Sequence, residues 1–414
     1  MSEEKKSTDP AKEKKKIRSA KAMRQLMTDY YTKAKIAESD GSKKIAWITS
    51  GGPVEPLHAM DVIPIYPENH GAMLGASKMS VEMCQVAEDM GYSRDLCSYF
   101  RGDIGSAVTK ESPIPGGLPK PDFLVACNNI CGTVTKWYEV LSRYFDVPMF
   151  LIDTPFIHQN KTTQSAAYVT SQMQEYINFL EEQCGASFDM DRFEEVAHLS
   201  MEGVRLWNQV LSTCENSPSP ISCFDAFFFL GPIVTLRGTE ENNEFYRGLL
   251  TELEERVADG IAAVDNEKYR LLWDNLPIWF RVRKLSNLLA ARGVALVAST
   301  YTNAWGELAP MMDPQNPLES SARVYLHPIL NRGTGHKLET IRQMVKDYQA
   351  DGVILHSDRS CKPYSVGQMD QRERLAQELD VPALLLEADH NDPRSYSDEQ
   401  GETRLDAFME VLGV

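Results

Sequence analysis

The stretch DFLVACNNICGTVTKWYE, residues 122–139, decides how the chain is read. Phe123 to Ala126 form a short unbroken apolar run, the mark of a strand buried on both faces. The polar residues behind it make a loop containing Cys127 and Cys131, and TVTKWYEVLSRYF then takes up helical periodicity. Strand, loop and helix in that order begin a parallel α/β unit. Ligands of such sheets collect beyond the carboxyl ends of the strands, so a cysteine in this loop faces a crevice.

Working outward, three more runs of the same kind surround this one: KIAWIT from residue 44, DVIPIYP from 61 and VPMFLID from 147. Helical segments such as VEPLHAMD and MSVEMCQVAEDMG stand between them. From about His158 to Lys268 strand signals disappear and long amphipathic segments follow one another, with PSPIS at 218–222 as a turn. Phe227 to Phe229 either line a pocket or fill a core. Strand runs return as YRLLWD, VALVAST, DGVILHS and VPALLLEAD, separated by helical stretches. The predicted fold class is α/β: two flavodoxin- or Rossmann-like domains with small parallel four-stranded sheets, plus a helical insertion. The expected boundaries are a charged tail and N-terminal helix over 1–43, a first α/β domain over 44–157, a helical region over 158–268 and a second α/β domain over 269–414.

The two halves repeat a detail. A cysteine stands five residues past the third apolar run in each, Ala126 to Cys131 and His356 to Cys361, and each fourth run ends in an acid, Asp153 and Glu387. Two crevices of this kind facing one another across a cleft bring Cys131 and Cys361 together.

A formal net charge of −16 and a pI near 5.1 argue against non-specific nucleic-acid binding, which needs a basic surface. No run approaches the roughly 18 apolar residues of a membrane span, and MSEEKKSTDPAKEKKKIRSAK has no apolar signal core, so a cytoplasmic location is expected. Eight cysteines in such a chain read as reduced thiols, some of them ligands. Cys84, Cys184 and Cys214 lie in helical patterns and read as packing residues. Cys97, in GYSRDLCSYF, offers a third thiol beside Cys131 and Cys361. Three convergent thiols can hold an iron–sulfur cluster or zinc, the Cys127–Cys131 spacing fits zinc poorly, and structural or catalytic thiols remain open on spacing alone. No G-x-x-x-x-G-K phosphate loop is present, which argues against ATP hydrolysis by this chain.

DLCSY around Cys97, CNNICGTVTKWYE around Cys131 and HSDRSCKPYSVGQ around Cys361 resemble, in order, the three ligand motifs of the 2-hydroxyacyl-CoA dehydratase and benzoyl-CoA reductase family. TSGGPVEPLHAMDVIPIYPE resembles its N-terminal pattern, and the likeness covers most of residues 44–390. The resemblance implies a [4Fe–4S] cluster on Cys97, Cys131 and Cys361, with Cys127 as an extra thiol. It implies reductive activation of an acyl-CoA thioester through a ketyl radical anion, a homologous second subunit, and a separate ATP-hydrolysing iron–sulfur activator. RSCKPYSVGQ places the larger, cluster-binding subunit of benzoyl-CoA reductases first and a 2-hydroxyacyl-CoA dehydratase subunit second. A non-catalytic two-lobed ligand binder and a zinc-stabilised interaction protein are the readings from other classes. Ser50 and Glu55, behind the first strand, are the candidate groups for moving a proton, with Glu55 alternatively a helix-start acid. Arg359 and Lys362 flank Cys361, and His158 and His356 are further proton-donor candidates. Trp137 and Tyr138 either exclude water from the site or pack the following helix.

Overall fold

A computed structural model describes residues 16–158 and 162–413. Among the described residues, eight strands form two parallel four-stranded sheets. The first contains β1 (Ile45–Ile48), β2 (Ile63–Ile65), β3 (Phe123–Cys127) and β4 (Met149–Ile152) in the order 2-1-3-4. The second contains β5 (Tyr269–Asp274), β6 (Val294–Ser299), β7 (Gly352–Asp358) and β8 (Ala383–Ala388) in the order 6-5-7-8, which is the same plan. The expected fold class is what the chain adopts.

Burial explains why the strands are visible as apolar runs. Every residue of β1, β3 and β6 is buried, because helices cover both faces of these sheets. Trp47 of β1 sits opposite Ile65 on one side and Leu124 on the other. Only the outer strands β4 and β8 carry exposed residues, as edge positions allow. In both sheets the direction of strand addition reverses between the first and third strands. The crevice of a doubly wound sheet opens at that reversal, at the carboxyl ends.

Helices Thr163–Cys184, Met190–Ser212 and Glu240–Ala258 build the region between the sheets. Val169, Met173, Tyr176 and Trp207 from these helices share one continuous core with Val125 of β3 and with Leu272 and Val353 of the second sheet. Fully burying one large apolar side chain is worth about 1.5–3 kcal/mol, so this shared core ties both sheets and the helical region together. Behind PSPIS, Ser222 and Asp225 form a reciprocal cap on helix Cys223–Phe229. Phe227 and Phe229 are buried and Phe228 is half exposed. Most of the predicted charged tail lies outside the described residues. The helix predicted behind it runs Ser19–Asp40, buries Tyr30 and Tyr31, and stops at Gly41, whose φ of 65° suits glycine.

Two helices matter for the site. Pro67–Ala76 follows β2 directly, and Ser98–Thr109 packs so closely on Ser80–Asp89 that a Cβ at Gly105 would stand 2.0 Å from the Met83 carbonyl oxygen. Among the described residues no helix is long and apolar enough to cross a membrane.

Candidate functional site

The two sheet reversals face each other. On the first side the loops after β1 and β3 are neighbours, and Asn129 donates from Nδ2 to the Gly51 carbonyl at 2.7 Å and to that of Tyr325 at 2.8 Å. A Cβ at Gly51 would lie 2.8 Å from Ile130 and 2.9 Å from Asn129, so the close approach of the loops requires a glycine. On the second side Asn275, behind β5, donates to the His356 carbonyl of β7 at 2.8 Å. Between them lies a cavity of about 210 Å³ whose walls include Ser50, Glu68, Cys97, Cys131, Cys361 and His390.

The structure therefore brings the three sequence-predicted cysteines to one cavity. Each stands immediately before a helix: Cys97 before Ser98–Thr109, Cys131 before Gly132–Phe145 and Cys361 before Lys362–Ser365. The backbone amides of Thr133 and Val134 favour the charged form of Cys131, and that of Tyr364 favours the charged form of Cys361. Burial, together with the neighbouring Cys97, pushes the Cys131 thiol up to about 11. Burial, Asp358 and the other two cysteines push Cys361 well above its usual value. Three thiols that repel one another as thiolates, while first-turn amides favour negative charge on Cys131 and Cys361, suit a cationic, thiophilic group held in common.

The Cys97 turn is fixed by the other half of the chain. Ser98 donates from Oγ to Asp389 at 2.5 Å, and Ser360 donates to the second Asp389 oxygen at 2.6 Å. His390 places Nδ1 2.7 Å from Asp358 and Nε2 2.9 Å from the Ser98 hydroxyl and 3.9 Å from the Cys97 sulfur. Burial opposes charge on this imidazole, but Asp358 and Asp389 outweigh it and hold its pKa well above the ordinary histidine value. Asp389, despite its burial, is held down to about 2 by His390 and the two serines. Ligand atoms of Asp358, Asp389 and His390 lie within 4.8 Å of one another, a spacing compatible with a metal ion. A protonated imidazole already bonded to a carboxylate is a poor metal ligand, so the trio acts as a charged brace.

Two carboxyls share the cavity and differ sharply. Glu55 is buried in a closed set of partners: Ser200 at 2.7 Å, Tyr325 at 2.6 Å and the Arg237 guanidinium at 3.4 Å. Burial raises its pKa, but Arg237 and the two hydroxyls more than offset this, leaving it below the usual value. Among the described residues, Glu68 has no cation beside it. It accepts from the Ser50 amide at 3.1 Å and from the Tyr138 hydroxyl at 3.2 Å, and burial lifts its pKa to about 7. Ser50 thus stands beside Glu68, while Glu55 is engaged with Arg237. Glu68 is the functional candidate that the sequence reading missed. Its available signal was an acid in the first turn of a Pro-led helix at a strand's carboxyl end.

The remaining candidates fall outside the cavity, with one exception. Cys127 is fully buried in the core with Val125 and Ile152, and burial pushes its thiol up to about 12. Arg359 pairs with Glu387 at 2.5 Å on the exposed side, and Lys362 bonds the Arg359 carbonyl. His158 is exposed, and His356 is buried against the Leu276 carbonyl at 2.7 Å. Trp137, the exception, lines the cavity and is also buried, donating from Nε1 to Asp103 at 3.0 Å. Cys84 and Cys214 are buried and Cys184 is half-buried.

A doubly wound α/β pair with a thiol-lined, carboxyl-bearing crevice between its sheet reversals defines a class of enzyme that works on a small enclosed substrate. Residues 49–412 match the family described as 2-hydroxyglutaryl-CoA dehydratase, D-component, and the chain belongs to that enzyme family. It is 35% identical to the (R)-2-hydroxyisocaproyl-CoA dehydratase alpha subunit of Clostridioides difficile, over 94% of each chain. It is 32% identical to the (R)-phenyllactyl-CoA dehydratase alpha subunit of Clostridium sporogenes, over 98% of each. A benzoyl-CoA reductase component from Thauera aromatica is 29% identical, over 94% of this chain and 93% of that one. The resemblance drawn from the cysteine motifs is thereby established. The order of preference within it is corrected, because these comparisons fit a dehydratase better than the reductase that RSCKPYSVGQ places first.

Proposed function

We propose that this chain is the cluster-bearing subunit of a 2-hydroxyacyl-CoA dehydratase, removing water from a 2-hydroxyacyl thioester. The observation that carries the reading is the meeting of Cys97, Cys131 and Cys361, from three distant segments, in one cavity with Glu68. The three thiols would hold a [4Fe–4S] cluster, a donor set that leaves one iron without a cysteine. When bound, that cluster supplies one-electron chemistry at low potential for the thioester.

The chain's own residues provide the rest. A carboxyl with a pKa near 7 is divided between acid and base at neutral pH, so Glu68 suits both tasks of the elimination. It gives a proton to the leaving hydroxyl and accepts one from the neighbouring carbon. The Ser50 amide and Tyr138 hydroxyl hold its two oxygens in place for that exchange. Buried Trp137 and Tyr99 line the cavity and exclude water, which strengthens polar interactions inside. The relatives named as alpha subunits support a second, homologous subunit as partner. Delivery of the electron by a separate ATP-hydrolysing iron–sulfur activator completes the proposal, in a cytoplasmic setting.

The test is anaerobic purification followed by iron and sulfide analysis, with about four irons per chain expected. The loaded protein, with its partner subunit, an activator and ATP, is then offered a 2-hydroxyacyl-CoA and benzoyl-CoA. Water elimination from the first supports the proposal. Ring reduction of benzoyl-CoA without elimination returns the assignment to the reductase, and a folded, iron-free, colourless protein removes the cluster from it.

A further inference from the structure

We infer that one wall of the thiol-lined cavity selects an apolar acyl side chain, branched aliphatic or aryl, and rejects one ending in a carboxylate. This rests on the acyl-CoA reading above and adds the class of acyl group. The residues assigned to that wall are Val204 of helix Met190–Ser212, Trp305, Leu308, Met312, Val324 and Ile329, all of which line the cavity. Val204, Val324 and Ile329 are buried, so the surface offered to a ligand is fixed by packing.

Charge decides the other half of the argument. Among the described residues, Arg237 is the one arginine or lysine that lines the cavity and His390 the one histidine, and both already have carboxylate partners. Arg237 holds Glu55 at 3.4 Å and lies over the rings of Trp305 at 5.5 Å and Tyr325 at 5.9 Å. His390 holds Asp358 at 2.7 Å. A carboxylate entering beside them must displace Glu55 or Asp358 and leave a buried charge unpaired, or itself remain unpaired. It also meets Glu55 and Glu68, which face the same space. An apolar chain meets none of these costs and gains about fourfold in affinity per buried methylene.

The measurement is anaerobic calorimetry on the cluster-loaded protein with its partner subunit, using thioesters that lack the 2-hydroxyl and so cannot eliminate water. The probes are 4-methylpentanoyl-CoA, 3-phenylpropanoyl-CoA, glutaryl-CoA and CoA alone. We expect the first two to bind at least about tenfold tighter than glutaryl-CoA, on the strength of two or more buried methylenes. Glutaryl-CoA binding within tenfold of them, or tighter, overturns the selectivity while leaving the acyl-CoA reading in place. All three acyl-CoAs binding no better than CoA alone overturns that reading and the selectivity with it. Leu308→Lys tests the wall itself, with the preference expected to move at least about tenfold toward glutaryl-CoA as the lysine supplies an unpaired cation. An unchanged preference in the folded variant overturns the assignment of this wall. Leu308→Ala introduces no charge and serves if the lysine variant does not fold: it should weaken 4-methylpentanoyl-CoA severalfold and leave glutaryl-CoA unchanged, and equal weakening of both overturns the assignment.

Discussion

The two halves share a strand order and a sheet reversal, yet they furnish the cavity in opposite electrostatic styles. The first half buries Glu68 with no cation beside it among the described residues, and burial lifts its pKa to about 7. Its other cavity acid, Glu55, is paired only because the helical region lends it Arg237. The second half buries its charges in closed pairs of its own, Asp358 with His390 at 2.7 Å and Asp274 with Lys337 at 2.7 Å. A buried carboxyl without a cation gains and loses a proton near neutrality, whereas a paired one keeps its charge and its position. The same fold thus carries a cavity acid that changes its proton near neutrality on one side and a braced, paired set on the other.

That contrast can be broken in four ways. The largest effect belongs to the thiols, where the halves should be equal. Cys131→Ser and Cys361→Ser should each lose most of the bound iron, while Cys127→Ser, altered in the core, should keep it. Iron retained by Cys131→Ser and lost by Cys127→Ser would reverse the register of the first loop. Next, Glu68→Gln should lower turnover by about 10²–10⁴-fold with the cluster and the fold intact, the usual loss for a proton-transfer group. Normal turnover in that variant would remove the first half's share of the chemistry. Asp358→Asn acts on the brace and should cost about 3–5 kcal/mol in denaturant unfolding, since it leaves a buried imidazolium short of a partner. A cost under about 1 kcal/mol would make the second half no more rigid than the first. The smallest effect is a pH dependence of stability. Folded Glu68 keeps its proton up to about pH 7 and the unfolded chain only up to about 4.5, so the folded state binds more protons between these values. Its contribution to stability is present below pH 4.5 and is lost as pH rises to 7. Glu68→Gln should lack that decline, and identical pH profiles for variant and parent would show that Glu68 titrates normally.

All eight strands are legible in the sequence because a strand covered on both faces needs apolar residues throughout, and KIAWIT or DFLVA has no other use for them. Cys131 and Cys361 are legible for a related reason: a loop at the carboxyl end of a strand is set by the strand before it, whereas Cys97 follows helix Ser80–Asp89 and shows only through its motif. Glu68 escapes because helix Pro67–Ala76 is buried almost all round, so PENHGAMLGA lacks the one-sided periodicity that reveals surface helices. His390 escapes because DHND, behind β8, looks like an ordinary polar loop; only the folded chain shows those residues reaching Cys97 and Ser98. Arg237 lies 182 positions from Glu55 and carries no local mark of the pair. Contacts that distant are fixed by tertiary geometry, which no window of sequence contains.

The serine beside Cys97 is held by Asp389, 291 positions later in the chain. During synthesis, the first sheet and the Cys97 helix leave the ribosome long before the loop that anchors them. A chain released short of residue 389 carries all three cysteines but lacks the groups that fix the first of them. The first thiol of the site therefore takes its final seat only once the loop behind the last strand has arrived.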